Sequence, residues 1–122
     1  MQILIVTPEA ARWTAFDEGL KAAGLSCAFA EAPDALKPEA LKTVRPLLVL
    51  WDEPYTGEEL RAAAIGIIMI DARINQSACT DEEHETFHEK VEGLGFLPNV
   101  PLTRTSDDAR ALADSLAKIG AL

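Results

Sequence analysis

Two groups of residues have the types and spacing to do chemistry. His84-Glu85-Thr86-Phe87-His88 follows the H-E-x-x-H pattern, in which two imidazoles one helical turn apart bind Zn²⁺ and the glutamate activates water. A protease built on it would need a substrate cleft and a third ligand, and the short chain offers neither clearly. Cys79 completes a Cys-x4-His-x3-His spacing, with Glu92 as a nearby carboxylate. The plainer reading makes His84 and His88 surface imidazoles in an acidic run of Asp81, Glu82, Glu83, Glu85, Glu89 and Glu92, a solvated helix face or a docking patch for a basic partner. The second group is Asp52 and Asp71, each closing a continuous apolar run. Trp51 and Tyr55 flank one of these ends as rings around a flavin would, but Thr7-Pro8-Glu9-Ala10-Ala11 has no Gly-rich phosphate loop to support a nucleotide. No Ser-His-Asp or Cys-His arrangement has supporting context, and the chain is not expected to be an enzyme.

The elements that must position these residues follow from hydrophobic pattern. Ile3–Val6, Leu47–Trp51 and Ile65–Ile70 are apolar runs without polar alternation, as expected of central parallel strands covered on both faces. Leu25–Ala30 and Val100–Thr103 read as two flanking strands. Between them, Pro8 opens a helix with Trp13, Phe16 and Leu20 on one stripe, closed by Gly24. A second helix covers Asp34 to Val44 with Pro38 in its first turn, and a short third covers Gly57 to Ala64. Thr80 and Glu83 form a capping-box pattern ahead of Phe87, Val91 and Leu94. The last helix begins after Ser106 with Asp107 and Asp108 in its first turn and buries Leu112, Leu116 and Ile119. Five strand–helix repeats with right-handed crossovers predict an α/β flavodoxin-like (βα)5 fold, a doubly wound parallel five-stranded sheet ordered 2-1-3-4-5. Ligands in such a sheet collect at the carboxyl ends of strands one, three and four, here Thr7 to Glu9, Asp52 to Tyr55 and Asp71 to Arg73.

Composition bounds the function. The 122 residues, 48% hydrophobic and 25% charged, suit one soluble domain spanning 1–122. Eleven Lys plus Arg against twenty Asp plus Glu give a net charge of −9, which repels nucleic acid and anionic membranes. The longest apolar stretch, Ala62 to Ile70, falls well short of the roughly 20 residues that span a bilayer. The first residues, Met-Gln-Ile-Leu-Ile-Val, read as a strand with no basic leader, so a cytoplasmic setting is expected. Cys27 and Cys79 lie in unrelated segments and predict no disulfide framework.

With strand ends and helices assigned, the chain resembles the receiver domain of bacterial two-component response regulators, in a degenerate, pseudo-receiver form. Ile3-Leu4-Ile5-Val6 is similar to that family's first strand, Ala22-Ala23-Gly24 to the end of its first helix, and Ala30-Glu31-Ala32-Pro33-Asp34-Ala35-Leu36 to its entry into the second. Arg45-Pro46-Leu47-Leu48-Val49-Leu50-Trp51-Asp52 is similar to the third strand, which puts Asp52 at the phosphoacceptor position, with Gly57 at the following loop glycine. Ile67-Ile68-Met69-Ile70-Asp71-Ala72 resembles the fourth strand, with Asp71 where the family has a switch Thr or Ser. Leu102-Thr103-Arg104-Thr105 resembles the segment bearing the family's Lys, with Arg104 in its place and Asn99 as the competing candidate.

The departure with the largest chemical consequence is at the first strand's end, where Thr7 and Pro8 replace the family's acidic pair and only Glu9 remains. Mg²⁺ needs converging oxygen ligands to neutralise a phosphoryl group, so the resemblance implies that Mg²⁺-dependent phosphorylation is lost or atypical. Asp52, Asp71 and Arg104 are then expected to form a charge network that imitates a fixed signalling state; otherwise the two carboxylates are merely solvated. No cofactor is expected. The resemblance implies a signalling module that works through protein partners. Its contact face is expected at Ala78 to Gly95 and the last helix, where the family commonly meets partners or a second copy, so a homodimer is among the expected states. The alternatives are a true phosphoacceptor with Glu9 and Asp71 as replacement metal ligands, and a metal- or small-ligand-binding protein using His84 and His88.

Overall fold

The computed structural model describes residues 2–122. Four parallel strands, β1 (Gln2–Val6), β2 (Ser26–Ala30), β3 (Leu48–Trp51) and β4 (Asn75–Ala78), form one sheet in the order β2-β1-β3-β4. Five helices connect and cover them: α1 (Thr14–Ala22), α2 (Pro38–Thr43), α3 (Leu60–Ile70), α4 (His84–Lys90) and α5 (Ser106–Lys118). The result is the doubly wound, flavodoxin-like α/β architecture.

Strand periodicity divides the core into two layers. Ile3, Ile5, Leu48 and Leu50 face one side and pack with Phe16 and Leu20 of α1 and Leu112 and Leu116 of α5. Val6, Val49 and Trp51 face the other, with Leu41 of α2, Leu60 and Ile67 of α3 and Phe87 of α4. Gly19 allows α1 and α5 to approach closely, since a Cβ there would lie 2.6 Å from the Ser106 carbonyl oxygen. Thr105 caps α5 through a capping box, accepting from the Asp108 N–H at 3.1 Å while Asp108 accepts from the Thr105 N–H at 2.8 Å.

The sheet differs from expectation at its fourth and fifth strands. Ile65–Ile70 is helical, the last half of the eleven-residue α3. A short apolar run reads as strand or buried helix alike, and here the preceding Leu60 to Ala64, rich in strong helix formers, extend it to helical length. The fourth strand is the more polar Asn75–Ala78, whose side chains are satisfied individually. Asn75 Nδ2 donates to the Leu47 carbonyl at 3.0 Å, Gln76 accepts from Trp51 Nε1 at 2.9 Å, and Ser77 donates to the Pro98 carbonyl at 2.9 Å. The fifth strand is reduced to isolated bridges, Cys79 with Val100 and Gln76 with Phe96. Thr80 does not cap α4: it accepts from the Glu82 N–H at 3.3 Å, and Glu83 precedes the helix without a side-chain cap. Ile119 is 54% exposed, outside the core side of α5. No helix among the described residues is long and apolar enough to cross a membrane.

Candidate functional site

Asp52 follows β3 directly and is fully buried. Such a charge is tolerated only with strong compensation, and five groups provide it. Oδ2 accepts from Thr7 Oγ1 at 2.8 Å, Trp13 Nε1 at 2.8 Å and Arg12 Nε at 3.0 Å, with Arg12 Nη2 a further 2.8 Å contact. Oδ1 accepts from the Glu53 N–H at 2.8 Å and Arg104 Nη2 at 2.8 Å. The donors come from four separate segments: the residue after β1, the turn before α1, the residue after Asp52 and the loop before α5. Thr7 extends β1 and is held by its own N–H to the Ala30 carbonyl at 2.8 Å. Arg12 and Trp13 share a short 3-10 turn, Ala10–Trp13, between Pro8 and α1.

Arg104 stands just before the α5 cap with φ of 49°, the left-handed region that non-glycine residues adopt at a cost of about 1–3 kcal/mol. Its guanidinium lies 5.3 Å from the Trp13 ring centroid as well as on Asp52, and these contacts hold the backbone there. Burial pushes the Asp52 pKa upward, but the bonds from Arg104, Thr7, Trp13 and the Glu53 N–H outweigh it and hold the carboxyl below its ordinary value. Arg104 shows the mirrored balance: burial opposes its charge, and Asp52 restores it, for a net upward shift.

This arrangement is a closed anion cage. Asp52 is buried, and both of its carboxylate oxygens accept hydrogen bonds. The donor set does not fit Mg²⁺, which requires oxygen ligands. Two guanidiniums, an indole N–H and a hydroxyl proton point at Asp52, and the guanidiniums already supply the local positive charge.

The remaining candidates lie around or away from this cage. Glu9 is turned toward Arg12, 3.8 Å from its Nη1, and Pro8 is exposed. Asn99 donates to the Thr80 and Glu82 carbonyls, each at 3.0 Å, so Arg104 is the one of the two that reaches Asp52. Asp71 does not share the site. It ends α3 ahead of β4, at the opposite end of the sheet, where Arg73 binds it through Nε and Nη2 at 3.0 Å each and Arg45 lies at 3.8 Å. Glu9 and Asp71 therefore do not assemble as replacement metal ligands beside Asp52. Residue 71 was misplaced together with the fourth strand; Cys79 is the residue beyond the end of β4.

His84 and His88 are exposed on α4 and line an open groove of about 500 Å³ with Phe87, Val91 and Phe96. Cys79 is buried in the other core layer and bonds the Pro101 carbonyl at 3.4 Å, so it cannot join them. Among the described residues, no three His, Cys, Asp or Glu side chains converge as a metal site. Trp51 is a core side chain, and the Tyr55 hydroxyl donates to the Glu31 carbonyl at 2.8 Å. Sequence reasoning missed Arg12 and treated Trp13 only as packing. The available signal was that a buried indole N–H needs an acceptor.

The sequence matches no family profile and no curated protein. The structure is similar to solved structures. A response regulator receiver domain protein from Clostridium thermocellum superposes with a TM-score of 0.72 at 13% identity, over 98% of this chain and 96% of that one. The receiver domain of nitrogen regulatory protein C gives 0.71 at 18%, over 97% and 95%. A candidate pilus assembly-related protein from Burkholderia pseudomallei K96243 gives 0.74 at 12%, over 97% and 90%. The chain therefore has the receiver-domain fold.

Proposed function

We propose that this chain is a degenerate receiver: a signalling module that acts through protein contacts in one fixed state, without Mg²⁺-dependent phosphorylation of Asp52. The observation that carries the reading is the closed cage. An aspartate that accepts a phosphoryl group must offer an oxygen in line with the phosphorus, next to a cation that neutralises the equatorial oxygens. Asp52 instead spends both oxygens on Arg12, Arg104, Trp13, Thr7 and the Glu53 N–H. The two guanidiniums occupy the electrostatic role of the metal, so the Asp52 charge is compensated before any phosphate arrives.

The proposed contact face is the one formed by α4, the segment 96–103 and α5. Its exposed Glu85 and Glu89 rim the groove floored by Phe87 and Phe96, which suits a basic partner with an apolar anchor.

The test is an amide-resolved NMR titration with Mg²⁺ and then beryllofluoride, a stand-in for the phosphoryl group on aspartate. No saturable shifts at Thr7, Asp52, Glu53 or Arg104 are expected. Saturable shifts centred on these residues mean a working phosphoacceptor and overturn the reading.

A further inference from the structure

Helix α3 carries a single charged residue, Arg61, in eleven. A helix apolar on every side is normally covered on every side, yet only Leu60, Ala64 and Ile67 are buried. The opposite stripe, Ala62, Ile65, Gly66 and Met69, is exposed, with Ile65 at 43% and Met69 at 81%. Its i, i+3, i+4, i+7 spacing makes one continuous face. Gly66 is a poor helix former, and the chain's own packing gives no reason for it, since a Cβ there meets no atom within 4 Å.

We propose that this stripe is a two-fold interface between two copies of the chain, with α3 packed antiparallel on α3 about an axis between Ile65 and Gly66. The pattern is complementary to itself only in that orientation. Ile65 faces the copy's Gly66, and Met69 faces the copy's Ala62, so each large side chain meets a small one. Glu58, exposed in the turn leading into α3, is brought to the side of the copy's helix C-terminus, beyond which lies Arg73 with a side chain 76% exposed. The acidic end of each helix, Glu58 and Glu59, thereby meets the end of the other where Arg73 and Arg45 flank Asp71 and leave one net positive charge. A parallel arrangement would set Met69 on Met69 and Glu58 on Glu58. Self-complementarity of this kind is what a closed two-fold contact requires, and it offsets locally the repulsion between chains of charge −9. The interface is independent of Asp52 and of whether that residue is phosphorylated.

The stripe spans two helical turns, less than a standard interface, so a concentration-dependent dimer with a dissociation constant of roughly 0.1 mM is expected. Sedimentation equilibrium of the whole chain between about 0.01 and about 1 mM brackets that value. Gly66→Gln is the discriminating variant. It has room in the monomer and favours the helix, so its Tm rises by a few degrees while the bulk between the helices weakens dimerisation by about tenfold or more. Met69→Glu is expected to weaken it similarly. Ile65→Cys, close to the axis, is expected to form a disulfide-linked dimer under mild oxidation. The native thiols do not compete, because burial pushes both Cys27 and Cys79 up to about 12 and keeps them protonated. A wild-type chain that stays monomeric throughout, or a dimer that Gly66→Gln and Met69→Glu leave intact, overturns the proposal.

Discussion

Replacing Asp52 by asparagine is the sharpest probe of the cage, because it changes the charge and one donor–acceptor pattern while keeping the shape. Five donor groups converge on the carboxylate, two of them on Oδ1 and three on Oδ2. An asparagine has one oxygen, so its amide nitrogen must face donors whichever way it turns. The better orientation keeps the oxygen at Oδ2 and abandons the Glu53 N–H and Arg104. Arg104 is then a cation with an 11% exposed side chain and no carboxylate at its Nη2 other than Glu53 at 3.8 Å. Removing one member of a buried ion pair costs about 3–5 kcal/mol, a large fraction of the 5–15 kcal/mol typical of a domain. At this chain length that corresponds to a Tm loss on the order of 10–20 °C. Asp52 is held below its ordinary pKa, so the stability it contributes is fully present above about pH 4 and is lost as pH falls through the lower folded value. The gap between wild type and Asp52→Asn should therefore be constant from about pH 7 to 5 and narrow below about pH 4. Thermal unfolding followed by circular dichroism across that range measures both. A Tm change of less than about 3 °C at pH 7, or a gap that stays constant through the acid range, would refute the cage.

Two other substitutions test the frame that positions the site. Gly19→Ala places a Cβ 2.6 Å from the Ser106 carbonyl oxygen and 2.7 Å from its Cα; backbone must move, and a loss of about 2–3 kcal/mol is expected in urea unfolding. Because α5 carries the cap that follows Arg104, the Arg104 amide resonance should shift as well. Gln76→Leu leaves the Trp51 indole N–H without its 2.9 Å acceptor in a fully buried setting, for an expected loss of about 1–3 kcal/mol, read from the urea midpoint. An unchanged midpoint would mean that the Trp51–Gln76 bond does not hold β4 in place.

What the sequence disclosed and what it hid have the same physical origin. Hydrophobic burial alone marks β1 and β3, so their ends, Thr7 and Asp52, could be placed from pattern. β4 is built on the opposite principle. Asn75, Gln76 and Ser77 hold the sheet's last strand, with Gln76 and Ser77 buried, by satisfying each polar group with particular partners: Leu47 for Asn75, Trp51 and Ala64 for Gln76, and Leu97 and Pro98 for Ser77. Those partners are 20 or more residues away except for Ala64, and no local pattern predicts them. The neighbouring Ile65–Ile70 run supplied the hydrophobic signal that β4 lacks and drew the strand assignment to itself, carrying Asp71 to the wrong end of the sheet. Arg12 escaped for a related reason: it lies on a 3-10 turn, where a helical stripe drawn through Trp13, Phe16 and Leu20 gives the wrong direction for the residue beside it.

The substitutions at the cage make physical sense together. A receiver-like site with carboxylates after its first strand needs an external cation, because several negative groups converge on one point. With Thr7 there instead, the hydroxyl donates to Asp52 and contributes no charge, and a divalent ion loses its ligands. The remaining need, to compensate one buried carboxylate, is met by Arg12 and Arg104 from two separate loops. A guanidinium cannot diffuse away or exchange as a metal does, and the contacts of the Arg104 side chain with Asp52, the Trp13 ring and the Leu102 carbonyl hold its left-handed backbone. On the proposed reading, the same bonds that compensate the charge also fix the loop before α5, and such a site holds one conformation where a metal-dependent one can alternate between two.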